Sequence, residues 1–164
     1  MILPDQHQMI RDALRDFAQQ QLVPNAAQWD RERTFPRAAL TQLAGLGAFG
    51  IAVPESLGGA GLDYLALAVA IEEIAAGDGG VSTIISVNNC PVCSIGMAFA
   101  NPAQQQQWLR PLASGEMLGA FALTEPQAGS DASALLTTAR RDGDHYVLNG
   151  VKQFITSGKQ ADVT

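Results

Sequence analysis

The chain is short of charge, cysteine and aromatic residues, and each shortage excludes something. Only 16% of its 164 residues are charged, and the net charge is −6. Neither nucleic acid nor an anionic membrane surface is attracted by such a chain. An anionic small molecule would have to rely on local donors rather than on the overall field. Residues 79–109 contain no Asp, Glu, Lys or Arg, but Asn88, Asn89, Pro91, Asn101 and Pro102 interrupt the run. A hydrocarbon core would penalise those residues, so the stretch reads as a buried helix or helix pair of a soluble core. The two cysteines stand together in Cys90-Pro91-Val92-Cys93. No βαβ pattern precedes them, as a thioredoxin-like redox pair requires. His7 and His145 lie too far off in sequence to complete a zinc site, so two small buried thiols are expected and no metal. A basic stretch followed by an apolar run is missing from the amino terminus, so no secretory signal and a cytoplasmic location are expected. No G-x-G-x-x-G follows a strand and opens a helix, and Gly58-Gly59-Ala60-Gly61 lacks the spacing and the context of a Rossmann nucleotide site.

What is present is a helical chain that changes character late. Hydrophobic residues make up 47% of the sequence, enough for one full core. Asp5 reads as an N-cap, followed by Ile10, Ala13, Leu14 and Phe17 at helical spacing, with Pro24 marking an end or a kink. A second helix starts near Pro36, runs through Leu40, Leu43 and Leu46, and stops at Gly47 and Gly50. A glycine- and proline-punctuated loop over residues 51–61 leads to a third helix over 64–76. The uncharged segment 81–100 reads as a central helix buried on most faces. Pro102 then opens a short amphipathic turn with Trp108 and Leu109 inward, closed by Gly115. From about Leu118 the pattern becomes strand-like: Phe121-Ala122-Leu123-Thr124, then Tyr146-Val147-Leu148 and residues 151–156 flanking Asn149-Gly150, a strong two-residue hairpin signal. The expected class is mainly α, a helical domain over 1–118 followed by the first strands of a β domain over 119–164. Three or four strands with an open edge make an unfinished sheet, so the chain is expected to be truncated.

One loop invites chemistry. In Leu123-Thr124-Glu125-Pro126-Gln127-Ala128-Gly129-Ser130-Asp131 a strand ends at Pro126 and Gly129 permits close backbone approach to a ligand. Ser130 and Asp131 offer a hydroxyl and a carboxylate to cap the next turn. Glu125, beside Pro126, reads as a structural or capping carboxylate. Alternation along residues 151–156 sets Phe154 and Thr156 on one face and Ile155 on the other.

These segments resemble the acyl-CoA dehydrogenase family. Leu123-Thr124-Glu125-Pro126 followed by Gly129-Ser130-Asp131 matches one family motif, and Asn149-Gly150-x-Lys152-x-Phe154-Ile155-Thr156 matches a second some twenty residues later. Gly50-Ile51-Ala52-Val53-Pro54-Glu55 with Leu57-Gly58-Gly59 matches the loop of the family's helical domain, and Glu72-Glu73-Ile74-Ala75 the helix after it.

The resemblance implies an FAD enzyme that removes hydrogen from an acyl-CoA thioester to give a trans-2-enoyl-CoA. It implies FAD contacts from Phe121, Ala122, Leu123, Thr124, Gly129, Ser130, Phe154, Ile155 and Thr156, with Ser130 also near the acyl-CoA. Phe154 stands where many relatives carry Trp, and Phe121 where some carry Tyr. The catalytic base is implied to be a carboxylate of a later helical domain, beyond Thr164. Residues 87–89, in the helix implied to line the acyl pocket, look like those of short-chain members. An electron-transfer flavoprotein as acceptor and a homotetramer are implied as well. An acyl-CoA oxidase or flavin monooxygenase of the same fold, or a helical module that binds no flavin, remain alternatives on the residues alone.

Overall fold

The computed structural model describes residues 3–164. Met1 and Ile2, the start of the expected helical domain, lie outside them. Among the described residues, helix α1 covers 5–32, α2 Arg37–Gly45, α3 Tyr64–Gly77, α4 Gly79–Phe99 and α5 residues 102–114. The class is mainly α, as expected.

In α1, Leu14, Ala18 and Leu22 recur every four residues and are buried, with Ile10 and Phe17 packed partly on them. Ala13 stays exposed. Asp5 is not the N-cap. Pro4 holds that place and Asp5 lies in the first turn, where its charge favours the positive end of the helix. Nor does Pro24 end the helix. A wide π turn at Ala18–Leu22 precedes it, and the helix continues as Val23–Glu32 until Arg33 closes it in a left-handed conformation. The same device recurs. A π turn at Asn88–Cys93 contains Pro91, and another at Gln105–Leu109 precedes Pro111. A proline lacks an N–H and its ring collides with the carbonyl four residues back. Widening the turn moves that carbonyl aside, so all three helices run through.

Helices α1 and α3 lie together, tied at both ends. Asp63 accepts from the Ala66 N–H at 2.9 Å as the N-cap of α3, and from His7 Nε2 at 2.8 Å. One turn from the other end, Arg15 grips the buried Glu73 with both Nε (2.9 Å) and Nη2 (2.6 Å). Gly77 lets the end of α3 cross the π turn of α1, because a Cβ there would lie 2.9 Å from those of Ala18 and Leu22. The core joins these faces to Leu40, Leu43, Phe49, Ile51, Val81, Ile84 and Ile85.

Helix α4 is long and apolar enough to cross a membrane, yet only 39% of its apolar window is buried. It was expected to be buried on most faces. Its first half is; its second half exposes Ile95 and Phe99, the latter by 83%. Cys90 is likewise exposed, against expectation, while Cys93 is buried. Asn88 and Asn89 face backbone rather than an acyl pocket. Asn88 donates to the carbonyls of Phe49 (2.9 Å) and Leu112 (3.0 Å) and accepts from the Gly119 N–H (3.0 Å). Asn89 donates to Ala48 and Ile85 and accepts from the Ile51 N–H. A reciprocal cap opens α5: Asn101 Oδ1 takes the Gln104 N–H and Gln104 Oε1 the Asn101 N–H, both at 2.9 Å. In α5 Leu109 is buried, but Trp108 is 39% exposed rather than inward.

The strand pattern departs most from expectation. Two strands form among the described residues, β1 Thr138–Asp142 and β2 His145–Asn149, antiparallel and wholly exposed. Their turn is Gly143-Asp144, with Gly143 at φ 62°, the left-handed first position of a II′ turn. Asn149-Gly150 therefore ends a strand and makes no hairpin. Gly150 is needed for a different reason: a Cβ there would sit 2.7 Å from that of Thr137. Residues 121–124 and 151–156 are not strands. The chain end instead pairs with the segment after α5. Ala120 N donates to Val163 O and Asp162 N to Leu118 O, each at 2.8 Å, and Leu118 N donates to Asp162 Oδ2 at 2.9 Å.

Candidate functional site

The site begins where α5 ends. Gly119, pinned by Asn88, starts an extended run through Phe121, Ala122, Leu123 and Thr124 to Glu125. There the chain reverses: Glu125 and Ala128 exchange backbone hydrogen bonds of 3.0 and 3.1 Å across Pro126-Gln127. Gly129 and Ser130 come next on the surface, and a Cβ at Gly129 would meet open space. Asp131 caps the next turn by accepting from the Ser133 N–H at 3.0 Å. Of the expected capping pair, that bond falls to Asp131.

The second arm, residues 151–156, lies against the first. Gln153 N donates to Thr124 O at 2.9 Å, and Lys152 Nζ to Leu123 O at 2.8 Å. This pairing, rather than pairing with β2, is why the arm is no hairpin strand. Its backbone is also bent: Phe154 has φ 56° and Ser157 φ 60°. The strict two-residue alternation that placed Phe154 and Thr156 on one face therefore fails. Phe154 is 87% exposed, whereas Ile155 and Thr156 are half-buried. Beside them the buried Ser157 hydroxyl has no partner among the described residues.

Between the arms sits a carboxylate. Glu125 is 2% exposed, and four donors converge on its two oxygens. Oε1 accepts from Lys152 Nζ (2.8 Å) and the Thr137 N–H (3.0 Å), and Oε2 from Gln127 Nε2 (2.6 Å) and the Leu136 N–H (2.7 Å). Lys152 above all, helped by Thr137 and by the amide of Leu136, holds this carboxyl well below the usual carboxylate range. Glu125 is thus a strut ionised at neutral pH, in keeping with the structural role its place beside Pro126 suggested. Its partner Lys152 stood inside the second family motif without a role. The signal was its rarity, since the chain has only two lysines, Lys152 and Lys159.

The residues alone did not disclose a groove, although the resemblance implied that α4 lines an acyl pocket. Val92, Ile95, Gly96 and Phe99 of α4, Trp108 of α5, and Phe121 line an apolar channel of about 390 Å³ that reaches the first arm. The exposure of Phe99 and Trp108, unexplained by the core, is accounted for by this lining. The uncharged run in 79–109 held the signal, but burial in a core and lining of a groove look alike in sequence.

An apolar channel thus reaches the first of two arms that together carry exposed aromatic rings, half-buried hydroxyls and a bent backbone. Such a surface suits a flat heterocycle with hydrogen-bonding edges and an apolar chain beside it.

The chain is similar to known proteins over nearly its whole length. The acyl-CoA dehydrogenase N-terminal domain family matches residues 4–116, and the acyl-CoA dehydrogenase middle domain family residues 120–164. The mitochondrial short-chain specific acyl-CoA dehydrogenase of Rattus norvegicus is 48% identical over 162 residues, 99% of this chain and 39% of that protein. Butyryl-CoA dehydrogenase of Megasphaera elsdenii superposes with a TM-score of 0.92 at 36% identity, over 99% of this chain and 44% of that one. Glutaryl-CoA dehydrogenase of Mycobacterium smegmatis in complex with FADH2 gives 0.93 at 33% identity, over 99% and 42%. The chain therefore spans about two fifths of the length of its relatives, with matching sequence and matching fold throughout, and it belongs to the acyl-CoA dehydrogenase family.

Proposed function

We propose that these residues form the first part of an FAD-dependent dehydrogenase acting on a short-chain acyl-CoA. The observation that carries this reading is the pairing of the 121–124 segment with Lys152 and Gln153 of the second arm, together with Phe121 of the first arm lining the apolar channel. The residues fit a flavin. Phe154 and Phe121 offer ring faces, Thr124 and Thr156 offer hydroxyls, and the Ser157 hydroxyl is an unpartnered donor in the same arm. Leu123, Ala122 and Ile155 supply apolar surface and backbone groups along its edge. Gly129 and Ser130, exposed on the loop beyond Glu125, suit the diphosphate of FAD or of the CoA thioester. We assign 1–118 to a helical domain and 119–164 to the opening of a β domain.

FAD, when bound, would supply the hydride acceptor for the β carbon of the acyl group. What this chain contributes is placement and dryness. Val92, Ile95, Phe99 and Trp108 exclude water from the acyl chain, each buried CH₂ contributing about 0.8 kcal/mol. Phe121 joins that channel to the first arm, so the reacting carbons lie where both arms can hold the acceptor. The carboxylate that takes the α proton belongs to the part of the protein beyond Thr164. A short acyl group is supported by the similarity to a short-chain relative, no longer by Asn88 and Asn89, which serve the backbone. An electron-transfer flavoprotein as acceptor and a homotetramer complete the proposal.

The test uses the whole protein. Anaerobic addition of a four-carbon acyl-CoA should bleach the visible flavin band. Reoxidation should then be slow with oxygen and fast with an electron-transfer flavoprotein. Absence of bleaching by any acyl-CoA refutes the dehydrogenase reading, and rapid reoxidation by oxygen favours an oxidase of the same fold.

A further inference from the structure

The two arms of the cradle are separate in sequence, and among the described residues they share no regular sheet. Their spacing must come from somewhere else. One backbone hydrogen bond joins Gln153 to Thr124. Besides a long bond from Gln153 Nε2 to Glu125 O at 3.4 Å, the other ties pass through the Glu125 and Lys152 side chains. Lys152 Nζ touches Leu123 O and Glu125 Oε1 at once, both at 2.8 Å, so one ammonium spans the first arm and its anchor. Glu125 in turn gathers the 127 turn and the 136–137 amides that lead into β1.

We propose that the Glu125–Lys152 pair is the positioning device of the cradle, fixing the separation of the 121–124 and 154–156 arms and through it the seat of the flavin. The inference rests on the flavin reading above. Four donors divide evenly between two carboxylate oxygens, so charge as well as shape is required. In Glu125→Gln, whichever way the amide is turned, two N–H groups face an NH₂. Lys152→Met keeps the apolar stem and removes the ammonium that bridges two residues of the first arm. Lys152→Arg keeps the charge on a different fork.

The experiment compares wild type, Glu125→Gln, Lys152→Met and Lys152→Arg in the whole protein, with Glu73→Gln as a control. Glu73 is a buried carboxylate of the helical part, held among the described residues by Arg15. FAD affinity is measured by titration of the FAD-free protein. The visible band and midpoint potential of the bound flavin report its seat, and the urea midpoint reports the fold. Removing the outer partners that orient metal ligands weakens metal binding by about tenfold to 100-fold, and a loss of that order serves as the expectation for the flavin. That loss is expected for Glu125→Gln and Lys152→Met, with a shifted flavin band and potential. Lys152→Arg should recover part of both. Glu73→Gln should lower the urea midpoint and leave the flavin unchanged. Wild-type affinity, band and potential in Glu125→Gln and Lys152→Met overturn the proposal, as does an equal flavin change in Glu73→Gln. A wild-type protein that binds no FAD refutes the flavin reading itself, a result separate from either.

Discussion

Replacing Asn88 by alanine should destabilise the helical part by about 3–5 kcal/mol, although the side chain carries no charge. Asn88 is fully buried and satisfies three backbone groups from three places: the carbonyl after α2 at Phe49, the carbonyl of Leu112 in α5, and the N–H of Gly119. Each buried group left without a partner costs about 1–3 kcal/mol. Simple addition overstates the loss, because a water can enter the vacated volume and bridge some of the three. Asn88→Asp separates hydrogen bonding from cavity formation. It keeps the shape and the bond from Gly119, but turns a carboxylate oxygen toward two carbonyls, so at neutral pH it should cost at least as much. Asn101→Ala is the comparison: it removes an exposed helix cap and should cost only about 1 kcal/mol. Urea denaturation monitored by far-ultraviolet circular dichroism measures all three, with the slope m checked for constancy. If Asn88→Ala stays within about 0.5 kcal/mol of wild type, or costs no more than Asn101→Ala, the idea of a three-way backbone clamp is wrong.

The Glu125 carboxyl is held below its unfolded range, so its contribution is complete above the unfolded value and is lost as pH falls through the folded one. The stability gap between wild type and Glu125→Gln should therefore be constant near neutrality and narrow below about pH 5; a gap that persists unchanged into acid refutes the strut. Burial pushes the Cys93 thiol up to about 12, while Cys90 is exposed. A disulfide reagent at mild alkaline pH should then titrate one thiol per chain in the native protein and both in urea, and two fast thiols in the native state would contradict the burial.

The helices were legible because their signals are local. Leu14 and Phe17, Leu40 and Leu43, and Gly77 at the end of the third helix announce period and boundary within a few residues. The sheet was misread because two turn signals competed. Asn149-Gly150 is the stronger dipeptide, yet Gly143-Asp144 closes the hairpin, since Gly150 is consumed by its approach to Thr137. The strand β1, Thr138–Asp142, is polar and exposed along its whole length, so no alternation marks it. In the candidate site Leu123 and Thr124 are bonded to Lys152 and Gln153, but alternation could not foresee the left-handed backbone at Phe154. An asparagine does not show in sequence whether it serves a ligand or a carbonyl. Asn88 and Asn89 lie in the helix expected to line an acyl pocket, and their side chains hold the backbone. Lys152 escaped notice because its partner, Glu125, lies 27 residues away.

The three π turns set the rotational phase of the helix segments downstream of them. Each holds one residue more than an α turn would, and one residue is about 100° of rotation. If a π turn were shortened to ordinary pitch, every later side chain on that helix would swing to another face. In α4 the tail carrying Ile95 and Phe99 would leave the groove, and in α5 Leu112 and Ala113 would leave the core. Pro91 and Pro111 thus act at a distance, as keyed joints that aim the downstream half of each helix. Single-residue deletions at these turns should be far less tolerated than substitutions of the prolines themselves.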